Sequence, residues 1–532
     1  MSVANRESLA GAEAGGIGIR SAAAARGQPA EEPLRSMLRF AVLEGPVPLC
    51  AWQRGAVASL AATEGVLQQD ALLAAERSLA PLEPRLDFIL SFAPVSTGRA
   101  LMRAARLGVW QFCFGDWALC RGESQGFWEI AAGLATASAS LVQLQEDPDT
   151  VRILARATIR SHSCLPSASG SQLERLVAHF PRQVCLRLLD GPRGELHGEL
   201  VHAACRAGRR RTARDWLAFA ARAPTRLIRD ELEQLVHHEH WNVGIVDAPI
   251  ESLLDAPGPV EARWLRQPGH REFFADPFPI TRDGRRIVLC EHFDYRSGRG
   301  RIVSFDVDAP LSPSLPVEIG PAVHRSYPFV FQHQGRLFCI PETCATQEVV
   351  LYEAERFPDR WRRAAVLIRG LPLVDVTPFQ YRDRWWLAAS LPVSRGANSE
   401  LHLFFADALE GPWRPHPGNP VKVDVSSARP GGTPFWKDGM LYRPAQDCTR
   451  RYGRRVVINR ILELTERSFE EEFAAAVEPP RRGPYTEGLH TISAFGEATI
   501  IDAKRHALVL EEGMRVLSLG VRKMLARVRA RR

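Results

Sequence analysis

The residues best equipped for chemistry are carboxylates set at recurring places in the second half of the chain. Asp276 stands directly before Pro277 inside the apolar run "EFFADPFPI", where an ionised group is costly unless it has partners or work. The surrounding pattern returns: Pro277-Phe278, Pro328-Phe329, Pro378-Phe379 and Pro434-Phe435 follow one another at intervals of 51, 50 and 56 residues. After each comes a short apolar stretch, a turn such as Asp283-Gly284 or Gln334-Gly335, and a second apolar stretch ending on a polar group. Those groups are Glu291, Glu342, Ser390, and the pair Gln446 and Asp447. A weaker fifth copy, "GLHTISAFGEATIID", lacks the Pro-Phe and ends on Asp502.

Gathered around one opening, Asp276, Glu291, Glu342, Asp375, Asp447 and Asp502 would repel one another and raise some of their own pKa values, so that one acid stays protonated while another stays ionised. That is the equipment of glycoside chemistry, in which one carboxylic acid protonates the leaving oxygen and a second acts as base or nucleophile. A strand-end acid is as often a backbone cap, and Asp283 and Asp438, in Asp-Gly turns, are read as caps only. The recurrence speaks for the set.

The elements that would gather these acids are legible in the same repeats. Two β-rich runs joined by an Asp-Gly-like dipeptide read as a hairpin, and five such units of about 50 residues argue for a five-bladed β-propeller over 260–510. In a propeller, equivalent strand ends converge on a central channel.

The motifs "FFADPFPI", "HRSYPFVF", "IPET", "ARPGGTPFW", "YRPAQDC", Tyr452-Gly453 and "GLHT" together resemble the N-terminal propeller of the plant glucosamine inositolphosphorylceramide transferases and their bacterial relatives. That domain is itself similar to the five-bladed propellers of the family 43 and family 32 glycoside hydrolases. The resemblance implies Asp276 as base or nucleophile, Glu342 as acid and Asp375 as the partner that tunes them. Glu291, Arg443, Gln446, Asp447, His490 and Asp502 are then expected to bind substrate. In the plant enzymes sugar transfer belongs to a separate domain not found here, so a propeller that only holds a glycan stays open.

The first half has a different composition. Residues 1–36 are Ala, Gly and charge without periodicity, read as a disordered leader without a signal-peptide core. "LRFAVLE" reads as a strand, 57–78 as a helix, "RLDFILSFAPV" as a strand and 97–107 as a helix, which predicts an α/β layer with a parallel sheet over 37–210. From residue 107, "LGVWQFCFGDWALCRGESQGFWEIAAG" resembles the formyltransferase family. Arg121-Gly122, the Trp-containing helix and Asp149 fit, and Asp116 lies on the same stretch. Gln111 and Cys113 stand where that family carries Asn and His, and a thiol is a poor substitute for an imidazole base. The resemblance therefore implies a degenerate domain, with a folate formyl donor near Asp149 only under the active alternative. Cys113 reads first as a buried structural thiol and second as a nucleophile.

Apolar spacing over 170–255 predicts helices, with 211–259 as a helical bridge. Within it, the basic run "RAGRRRTARDW" reads as a solvated helix face, and His237, His238 and His240 lack a second ligand cluster, so no metal is expected. The 532 residues are 45% hydrophobic, enough for two cores. Bases (68) and acids (61) are interspersed, which argues against nucleic acid as a partner. The C-terminal segment 511–532, ending "GVRKMLARVRARR", reads as a basic amphipathic helix able to touch anionic lipid. Ten scattered cysteines, with no membrane-length apolar run, suggest a cytoplasmic protein. Three functions stay open: a cofactor-free carbohydrate-active protein of surface-polysaccharide metabolism acting on a glycan or glycolipid precursor, a formyl or acyl transferase for an amino sugar, and a non-catalytic glycan-binding scaffold.

Overall fold

In the computed structural model, four hairpins of the second half turn through two residues at positive φ: Asp283 and Gly284, Gln334 and Gly335, Arg382 and Asp383, Asp438 and Gly439. Consecutive left-handed residues make the turn whose twist matches that of two antiparallel strands. They join Glu272–Arg282 to Arg285–Asp294, Ser326–His333 to Arg336–Glu342, Val374–Tyr381 to Arg384–Ser390, and Phe435–Lys437 to Met440–Asp447. A fifth pair, Gly488–Phe495 and Ala498–Leu508, turns at Gly496.

The structure describes residues 38–508 apart from 44–48, 65, 69–85, 93–98, 121–126, 162–165, 191–195, 204–211, 223–236, 310–311 and 393–397. The expected leader, Arg121 and the basic C-terminal segment lie outside the described residues. Among the described residues no helix is long and apolar enough to cross a membrane. The chain divides into two compact units, one of 1–122, 139–156 and 174–207, the other of 123–138, 157–173 and 208–532.

The second unit is mostly β and propeller-like. Further antiparallel strands widen each hairpin, among them Arg299–Asp306, Glu348–Arg356, Glu400–Ala406 and Arg455–Leu464. Apolar clusters then join each hairpin unit to the next. Phe278, Leu289, Phe329 and Trp361 fill the space between the first and second; Phe338, Leu351, Val376 and Leu387 join the second and third. Phe379, Leu403, Leu441 and Ile461 join the third and fourth, and Phe435, Ile458, Leu489 and Ile501 the fourth and fifth. Val243, Phe274, Val288 and Ile500 bring the fifth back to the first. Four of these units are separate sheets, whereas the third continues through Lys422–Asp424 to pair with residues 157–158.

The closing sheet corrects the sequence reading. His237–Val246, expected within a helical bridge, is a strand that pairs antiparallel with Thr499 to Leu508 and is edged by Arg263–Trp264. Its run of β-branched and aromatic residues is buried from Trp241 to Val246, and burial on a sheet overrides the helical spacing read upstream.

In the first unit, Leu38–Leu43, Val66–Gln68, Phe88–Ser91 and Val109–Phe114 lie parallel, and Val109–Phe114 pairs antiparallel with Ala139 to Gln143. Of the expected helix 57–78, residues 57–61 belong to the helix Ala51–Ala61, Val66–Gln68 is a strand whose backbone pairs with Leu38 to Phe40, and 69–78 lie outside the described residues. Among the described residues of the expected helix 97–107, only Arg99–Met102 is helical. The amides of Arg106 and Leu107 donate instead to the carbonyls of Leu86 and Asp87, so the next strand's entry takes the donors that a longer helix needs.

Candidate functional site

Four hairpins break register near the start of their first strand. The ladder skips between Ala275 and Phe278, Ser326 and Phe329, Val374 and Thr377, and Leu489 and Ile492. Such bulges bend a strand and re-aim its side chains. Three residues in these gaps are left-handed: Asp276 (φ 53°), Tyr327 (φ 43°) and Asp375 (φ 53°), a conformation that Asp tolerates and Tyr holds only under constraint. The gap of the closing hairpin holds His490 and Thr491. Asp276 and Tyr327 immediately precede the proline of the Pro-Phe repeat, whereas Asp375 stands three residues before Pro378. The third copy's dipeptide is therefore out of step with its bulge.

Hydrogen bonds tie these residues into a ring. Asp276 Oδ1 meets His490 Nε2 at 3.0 Å and accepts from Thr491 Oγ1 at 3.2 Å. Its Oδ2 accepts the Tyr327 amide at 3.3 Å, and its own amide donates to Asp502 Oδ2 at 2.9 Å. Asp502 Oδ1 meets His490 Nδ1 at 2.9 Å and accepts the His490 and Thr491 amides. The Tyr327 hydroxyl pairs with Thr377 Oγ1 at 2.9 Å and accepts the Gly432 amide at 3.0 Å. On the far side, Glu342 Oε2 accepts the Asp375 amide at 3.2 Å, while Asp375 Oδ2 accepts from Gln446 Nε2 at 2.9 Å and from Arg429. Asp276, Glu342, Asp375 and His490 are each buried to within 5% exposure.

The ring sorts its protons by environment. Burial alone would push the His490 imidazole down, but Asp502 and Asp276 on its two nitrogens push it up to about 10. Burial would likewise raise the Asp276 carboxyl; the His490 charge and hydrogen bond, with help from Arg429, hold it below the usual range. Glu342 has no such cation in contact, and burial with Asp375 beside it raises it to about 8. Burial also raises Asp375, against the pull of Arg429. A carboxylic acid and a carboxylate thus coexist at neutral pH, the condition for acid and base work in one site.

Here the chain can be set beside known proteins. Residues 266–486 match the family described as "Glucosamine inositolphosphorylceramide transferase 1, N-terminal". Among curated proteins, glucosamine inositolphosphorylceramide transferase 1 of Oryza sativa subsp. japonica is 36% identical over 205 residues, which is 37% of this chain and 27% of the relative. The Arabidopsis thaliana protein of the same name is 32% identical over 219 residues, 40% of this chain and 28% of the relative. The match therefore spans little more than a quarter of these relatives. Among solved structures, a thermostable family-43 glycoside hydrolase aligns at 14% identity and a TM-score of 0.33, covering 42% of this chain and 85% of its own. The family 117 glycoside hydrolase Zg3597 of Zobellia galactanivorans aligns at 13% and 0.31, covering 46% and 86%.

The matched segment contains most of the ring. Of the acids singled out in the sequence, Asp276, Glu291, Glu342, Asp375 and Asp502 belong to the ring, together with Gln446 and His490, and of these Asp502 and His490 lie beyond the matched segment. Asp502 lies opposite the bulge, one register position before the counterpart of Glu291. Two expected members lie elsewhere. Asp447 accepts from Arg454, Arg455 and Thr449, and Arg443 is buried against Glu471 at 2.9 Å and the carbonyls of Ser427 and Ala428. Neighbouring residues of a strand point to opposite faces, so Gln446 and Asp447 cannot both turn inward.

Sequence reasoning missed Arg429, Tyr327, Thr377 and Thr491. Tyr327 had a signal, since it occupies in "SYPF" the place of Asp276 in "ADPF". Asp276, His490 and Asp502 each offer a ligand atom within 4.8 Å of the others and could hold a cation; in the geometry seen here the imidazolium takes that role. His240 Nε2 meets the Gly269 carbonyl instead. In the first unit, Gln111 and Cys113 are buried on Val109–Phe114. Asp116 caps the Ala118 amide, and the Asp149 carbonyl accepts from Trp117 Nε1 at 3.2 Å.

Proposed function

We propose that residues 237–508 form a five-bladed propeller whose ring of acids takes a glycan or the sugar headgroup of a glycolipid, with Glu342 as proton donor and Asp276 as base or nucleophile. The observation that carries this reading is the contrast within one ring: His490 Nε2 meets Asp276 Oδ1 at 3.0 Å, whereas Glu342 has no cation in contact and is buried beside Asp375, an arrangement that favours a carboxylate at the first and a carboxylic acid at the second. Glu342 then protonates the departing glycosidic oxygen. Asp276 draws a proton from water or attacks the anomeric carbon, and Arg429 holds the charge of Asp375 steady as Glu342 ionises. The names of the matched relatives, which carry glucosamine and inositolphosphorylceramide, point the substrate search to amino sugars and sphingolipid headgroups.

A second reading is favoured by the burial of the ring, whose acids expose only slivers of surface. On that reading the propeller holds the sugar at the ring's edge without turning it over. The experiment is a glycan and glycolipid array probed with the full chain, wild type beside Asp276→Asn and Glu342→Gln, followed by product analysis of each hit. Conversion by the wild type, lost in both variants while binding persists, supports the carboxylate mechanism. Binding without conversion in all three supports the scaffold, and no binding by any of them removes both. Formyl transfer to an amino sugar has a separate check, a calorimetric titration of the full chain with a folate formyl donor, in which silence counts against it.

A further inference from the structure

Glu291 differs from the other acids of the ring. The ring's two cations are committed, His490 to Asp276 and Asp502, Arg429 to Asp375. Glu291 touches neither, and its buried Oε1 accepts no hydrogen bond. His324 Nε2 stands 3.6 Å from that oxygen. The imidazole is fixed in one tautomer, because the Gly300 amide donates to Nδ1 at 2.8 Å; Nδ1 is bare and Nε2 carries the hydrogen. The approach also explains Gly300, where a Cβ would lie 2.1 Å from Glu291 Oε1 and 2.7 Å from the Arg325 carbonyl.

An ionised carboxylate in this position would be buried with an empty oxygen and would face Asp276, Glu342 and Asp502, with His490, already committed to two carboxylates, as its counter-charge. Such a group neutralises itself. Burial and the charge of Asp276 accordingly hold its carboxyl well above the ordinary range. Burial and Arg325 keep His324 uncharged, pushed down to about 4 against the pull of Asp276.

We propose that Glu291 is a second proton donor of the ring and that His324 is the positioning residue waiting for the charge it leaves behind. With Oε1 facing Nε2–H, the proton sits on Oε2. When that O–H bond breaks and a new one forms at the departing sugar oxygen, the electron pair stays on the carboxylate, and Nε2–H closes the 3.6 Å gap to Oε1. The proton's destination rests on the glycosidic reading above; the neutral acid and its paired imidazole do not.

The test is infrared spectroscopy of the full chain near neutral pH, in the region of the protonated carboxyl C=O stretch. One such band is expected to disappear in Glu291→Gln, to move without disappearing in Glu291→Asp, and to survive in Glu342→Gln. His324→Phe is expected to shift it to higher frequency, and His324→Gln, which restores an N–H, to move it back. A spectrum unchanged in Glu291→Gln, or a band indifferent to His324→Phe, overturns the pair. A band that behaves as expected in a protein that converts no glycan supports the pair and counts against the glycosidic reading alone. An indifferent band in a protein that does convert glycans overturns the pair alone.

Discussion

At the scale of single residues, the ring is held by side chains that no charge pattern announces. Tyr327 is the clearest: its hydroxyl satisfies the buried Gly432 amide and meets Thr377, while its backbone amide is bound by Asp276. Tyr327→Phe leaves that amide without an acceptor and is expected to cost about 1–3 kcal/mol. Urea unfolding should show the loss as a lower midpoint at unchanged slope; an unchanged midpoint would mean that the hydroxyl carries no structural weight. The acids were legible because they recur at strand ends with a fixed period. Arg429 was not, because its partner Asp375 lies 54 positions away and nothing local marks a cation on "SSARPGG" as buried. Asp447 misled for the opposite reason: it neighbours Gln446 in sequence but not in direction.

At the scale of elements, the hairpins could be read directly from paired apolar stretches and their turn dipeptides, whereas the left-handed pair at Arg382 and Asp383, which lacks any glycine, shows itself only in the structure. The closing strand could not, since its partner is reached only after some 250 residues, and loop closure over that distance leaves no local trace. Its role yields a prediction. A chain begun at residue 260 leaves Ala498–Leu508 without its neighbour and uncovers Val243's place among Phe274, Val288 and Ile500. Thermal melting by circular dichroism is expected to be cooperative for 236–508 and broad or absent for 260–508. Matching sharp transitions in the two would show the strand to be dispensable.

At the scale of the whole molecule, the ring ties stability to pH. The folded chain holds several protons more tightly than the unfolded chain does, those of Glu342 and His490 among them. Glu342 moves from 4.5 up to about 8 and His490 from 6.5 up to about 10, so stability falls as pH rises through each interval. Asp276 acts in the opposite sense, with its contribution present above its ordinary value and lost in acid. Stability is therefore expected to decline between about pH 4.5 and about pH 10, by up to about 1.4 kcal/mol per titrating group per pH unit, which thermal melting reads as a falling midpoint. In Glu342→Gln the decline below pH 8 should become shallower, with the part carried by His490 above pH 6.5 remaining. A wild-type profile level across this range would mean that neither group is shifted as described.

The closing strand has a further consequence, for synthesis. A ribosome delivers Asp276, Glu291, Glu342 and Asp375 long before His490 and Asp502, since the imidazolium and its second carboxylate belong to the fifth of the described hairpins. Until then the nascent chain carries its acids without the cation that reconciles them, and His237–Val246 waits with an open edge. The polar centre and the seam between the fifth and first hairpin units are thus completed together, when Gly488–Phe495 and Ala498–Leu508 have left the tunnel.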